Sequence, residues 1–316
     1  MLLRPTTEGE LDRVLAWTPA GSVPADHYLA GLAARHYRPE WTWVADEGGQ
    51  ILACAIWWGR SDADHPLALD SLDVRASVPG RTALAARLLA AGHDAFRAVG
   101  MPRPPRFGLD LPNDWRTDPA GARSLGWRRR AAAVAGLTDE LERLRYEWTP
   151  EAGVPRLSRR LTFRAEPDDG AVLEAFRRIA VGSLDVTTRR EVAALGADRQ
   201  ACEDVQTYLS LPGGRDWWRL AYTPNGALAG LAIPSRNESG PVVGYLGVVP
   251  ELRGRGYIDD ILAEITGFHA AAGAHRIVAT TDITNVPMAA AFERAGYRNY
   301  GIQLVLSAPY PDVSCR

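Results

Sequence analysis

Val248-Val249-Pro250-Glu251-Leu252-Arg253-Gly254-Arg255-Gly256-Tyr257 lies between an apolar run, Pro241 to Leu246, and a helical pattern, Ile258 to Ala272. A strand that breaks into a glycine-rich turn and then a helix makes an anion site. Backbone N–H groups converge there, and the helix N-terminus adds partial positive charge. Arg253 and Arg255 supply fixed cations in the same turn. Gly254 and Gly256 let a ligand come close to the backbone. The ligand expected of such a turn is a pyrophosphate.

Downstream, Arg276 to Thr281 reads as a short strand, followed by Asn285-Val286-Pro287-Met288-Ala289-Ala290-Ala291-Phe292-Glu293-Arg294-Ala295-Gly296-Tyr297. The loop resembles motif A of the GCN5-related N-acetyltransferases (GNAT), Arg/Gln-x-x-Gly-x-Gly/Ala. The later segment is similar to that family's Asn-x-x-Ala-x-x-x-Tyr-x-x-x-Gly-Phe helix. The resemblance implies an acyl-CoA cosubstrate, with acetyl-CoA expected, held by Val248, Val249, Arg253, Gly254, Arg255, Gly256, Tyr257, Ile258, Asn285 and Phe292. Two departures stand out. Ile258 occupies the last Gly/Ala position of the motif, followed by Asp259 and Asp260, which suit a helix dipole but repel phosphate. Phe292 stands where many relatives carry a tyrosine that protonates the leaving thiolate.

The chain reads as a distant internal duplication. Leu2 to Pro5 and the helical run Glu8 to Trp17 parallel Leu161 to Arg164 and the run Ala171 to Val181. Strands at Trp41 to Ala45 and Ile51 to Trp58 flank Glu47-Gly48-Gly49, as those at Trp217 to Tyr222 and Ala227 to Ile233 flank Pro224-Asn225-Gly226. A strand from Leu67 to Val74, a turn at Pro79-Gly80, a helix from Thr82 to Ala98 and a strand from Phe107 to Leu111 repeat the later order. The first copy keeps one loop glycine, and Pro79 removes an amide donor. The expected fold is α/β (α+β): two tandem GNAT-like domains, each a mixed, mostly antiparallel twisted sheet flanked by helices. Thr149 to Ser158 is the expected linker. Residues 1–150 form a degenerate first domain and residues 156–316 the catalytic one with the acyl-CoA site.

Composition fits 316 residues in two domains. The net charge of −2 argues against nucleic acid or an anionic membrane as partner. All 36 basic residues are arginine, a bias read as genomic. Cys54, Cys202 and Cys315 have neither metal spacing nor a disulfide pattern, and the six histidines form no metal motif, so no metal is expected. With no signal-peptide core and no bilayer-length apolar run, the expected place is the cytoplasm. The expected assembly is a monomer or homodimer.

By the same resemblance, the strands on either side of the loop splay for the pantetheine arm, and the N–H of Val248 or Val249 stabilises the oxyanion. The residues leave the proton acceptor open. Asp282 and Glu238 are the nearest carboxylates, and Asp282 alternatively caps the helix that begins near Asn285. Asn285 is itself a cap or a cofactor ligand. Tyr245 is a relay or a packing residue, and Tyr297 and Tyr300 lie near the missing tyrosine. The catalytic candidates are therefore Asp282, Tyr245 and Asn285.

Asp185 is the candidate to hold a cationic amine; Glu191, Glu203 and Asp204 read as solvated helix faces. Trp217 is the aromatic candidate for the substrate cleft, by alternation along a hairpin strand. The activity expected is acyl-CoA-dependent N-acyltransfer to a small-molecule amine by direct attack. The alternative is a non-catalytic acyl-CoA-binding or scaffolding protein. A narrower resemblance, in length and tandem plan, is to mycothiol synthases.

Overall fold

The computed structural model describes residues 1–17, 23–237 and 240–310. It divides into two compact units. The first half of the chain runs β1 (Leu2–Pro5), α1 (Leu11–Trp17), α2 (Ala25–Ala33), β2 (Thr42–Glu47), β3 (Gln50–Trp58), β4 (Ala68–Val74), α3 (Arg81–Ala98), β5 (Arg106–Leu111), α4 (Pro119–Val134) and β6 (Asp139–Trp148). The second runs β7 (Thr162–Arg164), α5 (Asp169–Ala180), α6 (Val186–Leu195), α7 (Ala197–Leu209), β8 (Arg219–Tyr222), β9 (Leu228–Asn237), β10 (Gly240–Val248), α8 (Tyr257–Ala271), β11 (Ile277–Asp282), α9 (Val286–Arg294) and β12 (Arg298–Ser307). The same order of elements recurs, with one extra helix in the second half.

The compact units depart from the expected boundary at 150–156. The first comprises Met1–Leu141 with Gln303–Pro309, and the second takes Glu142–Ile302. Most of β6 therefore belongs to the second unit, where it pairs antiparallel with β11 from Arg143↔Asp282 to Trp148↔Ile277. The end of β12 belongs to the first. Leu304 and Leu306 are buried there in one core with Trp57, Leu69, Leu72, Leu88, Leu89 and Phe107. A linker signal in sequence marks where the chain is irregular. It does not mark which sheet a strand joins, because pairing is a long-range choice.

In the first unit β1 to β5 lie in sequence order, antiparallel until β4 meets β5 in parallel at Ala68↔Arg106 and Leu69↔Phe107. Trp57 is fully buried, edge-on to Phe96 at 5.2 Å. Gly92 lets α3 lie against it, since a Cβ there would come within 2.7 Å of the Trp57 ring. In the second unit the order is β12-β6-β11-β10-β9-β8-β7. Here α5 and α7 share one core with the β9–β10 region: Phe176, Ile179 and, from α7, Val205 pack with Leu231, Ile233 and Val249. A second core places Leu262 of α8 and Phe292 of α9 against Tyr146, Trp148, Ile277 and Ala279.

Helix ends follow local chemistry. Asp118 caps α4 through the N–H groups of Ala120 and Gly121, with Pro119 at the first helical position. Asp168 caps α5 through Gly170.

The strand composition of the first unit is testable. Leu306→Ala, a change in the last strand of the chain, should cost about 2–5 kcal/mol. Hydrogen exchange should speed up in β4 and β5, and exchange unchanged in those strands would refute the assignment.

Candidate acyl-CoA and acceptor site

Strand β10 is paired with β9 over most of its length, with a bulge at Gly244 between Val243 and Tyr245. On its other edge, registered pairing with β11 is confined to Val242↔Val278. Beyond that point the two parallel strands part. Val249 donates its N–H to Ala229 O of the β9 side at 2.9 Å. Antiparallel backbones alternate the direction of their N–H groups, so the N–H of Val248 faces the gap. Of the two candidates for an oxyanion donor, the geometry removes Val249 and keeps Val248.

The loop then turns on two glycines in the left-handed region, Gly254 at φ 75° and Gly256 at φ 72°, the latter capping α8. The N–H groups of Gly254, Arg255, Gly256, Tyr257 and Ile258 have no acceptor among the described residues. The loop is exposed to half-buried, so these donors are open to water, and a string of bare N–H groups at a helix start forms a cradle that an anion can occupy.

The charged residues around the cradle divide differently from expectation. Arg253 does not point at a ligand. Its guanidinium donates to Val248 O at 3.1 Å, Gly182 O at 2.8 Å and Ile179 O at 2.7 Å. Burial lowers its pKa, yet it stays a cation tied to three carbonyls. Arg255 is exposed, with a side chain that has no partner among the described residues. Asp259 and Asp260, expected to repel an anion, are both paired. Asp259 binds Arg294 at 2.7 Å, and buried Asp260 binds Arg160 at 2.7 Å. Arg160 also donates to Arg255 O and Gly256 O, and lies over the Tyr257 ring at 5.5 Å. Ile258 turns into the core with Leu262 and does not crowd the loop.

Other candidates are placed in packing or capping roles. Phe292 is buried between Tyr146 and Tyr297, with ring centroids 5.0 and 5.3 Å away. It faces the core, so its cofactor role is not supported. Tyr297 bonds Thr266 Oγ1 at 2.8 Å inside the protein, and Tyr300 is covered by Arg145 and Arg276. Neither replaces the absent tyrosine. Asn285 caps α9 by accepting from Met288 N at 3.4 Å. Gly247 is explained by helix α5, since a Cβ would overlap Ile179. Trp217 lies in a 3-10 turn before β8, so strand alternation does not apply to it. It packs on Phe268 at 5.0 Å near the far end of α8, about 16 Å along the helix from Tyr257 by the rise per residue. The structure does not bring it to Asp185. Glu238 and Cys315 lie outside the described residues.

Asp282 and Asp185 do meet, at the start of α6. Asp282 caps this helix and not α9: its Oδ2 accepts from Val186 N at 2.6 Å. Asp185 accepts from Thr188 N at 2.8 Å. Arg143 of β6 reaches both, at 3.3 and 3.7 Å. Burial, then the charge of Asp185, raises the pKa of Asp282.

Asp204, expected on a solvated helix face, is half-buried instead. Gln200, Asp204 and Tyr208 form one stripe of α7 at i, i+4 spacing. Gln200 is buried and donates Nε2 to Asp204 Oδ2. Tyr208 lies 5.5 Å from Tyr245 of β10, and both pack on Phe176. Burial, then the charges of Glu191 and Asp185, push Asp204 up to about 7. Burial and Asp204 push Tyr245 well above its usual value. Arg143, Arg160 and Asp204 carry no motif. Only the i, i+4 stripe was available in sequence to mark Asp204.

A carboxyl raised in the folded state stabilises below its unfolded pKa, and that stability is lost as pH rises through the folded pKa. Asp204→Asn should therefore unfold at a higher temperature than the parent at pH 8. The difference should widen from pH 4 to about 7 and then level off. Thermal scans at five pH values check this; a constant difference would contradict it.

No protein-family model and no curated protein matches the chain. Solved structures do. A GCN5-related N-acetyltransferase from Sphaerobacter thermophilus covers 100% of this chain and 98% of its own, at 15% identity and a TM-score of 0.56. A GCN5-related glucosamine N-acetyltransferase region of a fungal multi-domain GH3 β-N-acetylglucosaminidase is similar over 96% of this chain and 38% of that one, at 15% identity and a TM-score of 0.58. A GCN5-related N-acetyltransferase from Kribbella flavida covers 93% and 99%, at 16% identity and a TM-score of 0.50. At such identities the likeness is one of fold: this chain has the tandem fold of the GCN5-related N-acetyltransferases.

Proposed function

We propose that the second unit binds an acyl-CoA, acetyl-CoA in the simplest case, and transfers its acyl group to a small-molecule amine. The observation that carries this reading is the run of N–H groups from Gly254 to Ile258 without acceptors, at the point where β10 has left β11. A pyrophosphate satisfies those donors and meets the helix dipole and Arg255. The parted strands take the pantetheine arm. The N–H of Val248 then polarises the thioester carbonyl, and a fixed donor of this kind is commonly the largest catalytic term. The amine attacks the carbonyl carbon, the C–S bond breaks, and the thiolate leaves with a proton. A thiolate is a good enough leaving group at neutral pH that the reaction proceeds without a tyrosine at Phe292.

The first unit has a shorter run: Gly80, Arg81 and Thr82 leave their N–H groups without acceptors among the described residues. Its loop enters α3 through a left-handed Gly80 at φ 70°, but Pro79 has no N–H to give. We assign it a supporting role. Among the described residues no cluster holds a metal and no helix is long and apolar enough to cross a membrane. The non-catalytic alternative draws on one observation, the buried Phe292.

Calorimetric titration with acetyl-CoA tests the reading, with one site per chain expected. Arg255→Ala, at an exposed side chain, should weaken binding about tenfold with an unchanged unfolding temperature. Gly256→Glu should abolish it, through a carboxylate at the phosphates and about 1–2 kcal/mol of left-handed strain. Binding unaltered in both variants would overturn the site. Binding without turnover across an amine panel would favour the non-catalytic reading.

A further inference from the structure

We propose that Asp204, flanked by Tyr208 and Tyr245, binds the acceptor as an ammonium cation and takes its proton, and that the acceptor is an amine with no carboxylate beside the nitrogen. The inference rests on the acyl-transfer reading above and names its substrate class and base.

The argument starts from charge. Asp204 is half-buried, and its hydrogen-bond partner is the neutral amide of Gln200. The charges that act on it are acidic: Glu191 and Asp185 from α6, and Glu203 from its own helix. Those neighbours are engaged elsewhere. Asp185 caps α6 and faces Arg143, Glu191 accepts from Tyr310 at 2.7 Å, and Glu203 pairs with Arg199 at 2.9 Å. Asp204 alone has a carboxylate's need for a cation and no arginine to meet it. Removing a carboxylate from water is costly unless a partner charge is supplied. A proton meets that need in the free protein, and a ligand ammonium meets it in the complex.

An unsatisfied polar atom lies beside Asp204. Gln200 is 1% exposed, and its Oε1 has no donor although its Nε2 is held by Asp204. Asp282 is fully buried, and its Oδ1 makes an ion pair with Arg143 Nε at 3.3 Å without a hydrogen bond. Asp282 Oδ1 and Arg143 Nε, both without a hydrogen bond, face each other, whereas the Gln200 oxygen lacks a donor that a ligand N–H group would supply. The aromatic surroundings agree. Tyr208 and Tyr245 lie at 59° to each other, and their ring faces attract a cation. Tyr245 lies on β10 three residues beyond Val242, and Asp282 ends β11, so the cluster belongs to the parted strands where the thioester is expected.

The chemistry balances. The ammonium N–H bond breaks and its proton goes to the Asp204 carboxylate. The freed lone pair forms the C–N bond to the thioester carbonyl carbon. The C–S bond breaks, and the thiolate sulfur takes the second amine proton. An acceptor with a carboxylate beside its nitrogen would bring a negative charge against Asp204, Asp185 and Glu191, and this disfavours it.

The test is calorimetry on the full chain, with 2-phenylethylamine, 1,4-diaminobutane and phenylalanine as probes at pH 8. At least one of the two carboxylate-free amines should saturate a single site, and phenylalanine should not. Binding should weaken about tenfold or more in Asp204→Asn, and similarly in the parent at pH 5.5, where Asp204 is protonated. Glu203→Gln, at a solvent-facing neighbour, should bind as the parent does. With acetyl-CoA present, kcat/KM should rise through about pH 7 in the parent, and Asp204→Asn should lose that limb. Saturation by neither carboxylate-free amine, or equal binding by the parent and Asp204→Asn, overturns the proposal. A missing acetyl-CoA isotherm with intact amine binding would overturn the acyl-CoA reading alone.

Discussion

Arg253 holds the site together. One guanidinium satisfies three carbonyls: the end of β10, the end of α5 and the turn that leads into α6. Arg160 fixes the far side of the loop through Arg255 O and Gly256 O, so two arginines replace the regular hydrogen bonding that a turn on two left-handed glycines forgoes. The Arg253 tie sets where α6 begins. That start places Asp185 beside Asp282, so the residue that ties the glycine-rich loop to α5 also bears on this carboxylate pair.

Electrostatics in this unit are arranged by pairing more than by composition. Arg160 and Arg294 neutralise the two aspartates in the first turn of α8, which would otherwise oppose an anion at the helix start. Arg143 covers the two carboxylates at α6. The charges left exposed to a ligand are then of opposite sign in the two halves of the cleft: Arg255 at the loop and Asp204 behind it. A cleft divided in this way suits a cosubstrate with an anionic end and an acceptor with a cationic one. Arg255 is exposed and Asp204 half-buried, and neither has a charged side-chain partner among the described residues.

The duplication explains the architecture and one departure from it. Both halves use the same succession of strands and helices, and in both the first parallel pair parts soon after it forms, at Leu69↔Phe107 and at Val242↔Val278. In the second the following loop carries an unbroken run of bare N–H groups from Gly254 to Ile258, and in the first Pro79 interrupts the run. Compactness does not follow the sequence halves, because β6 and β12 each serve the sheet in which their apolar faces are buried: Tyr146 and Trp148 in one core, Leu304 and Leu306 in the other.

The local sequence was enough to determine the strand–loop–helix motif, the repeated plan and the glycine positions. These depend on hydrophobic period and on backbone conformations that glycine alone adopts cheaply. The fold and the glycine-rich turn before α8 were legible for that reason. Tertiary structure decided which arginine is free, which aspartate caps which helix and which way Phe292 and Ile258 turn. It also decided that Trp217 sits far along α8 and that Asp204 stands beside two tyrosines. Each of those outcomes depends on a partner distant in the chain: Arg253 on Gly182, Asp282 on Val186, Asp260 on Arg160. The charge and shape of a side chain are local properties. Whether they are spent or available is set by what the fold brings within about 3 Å of them, the reach of a hydrogen bond.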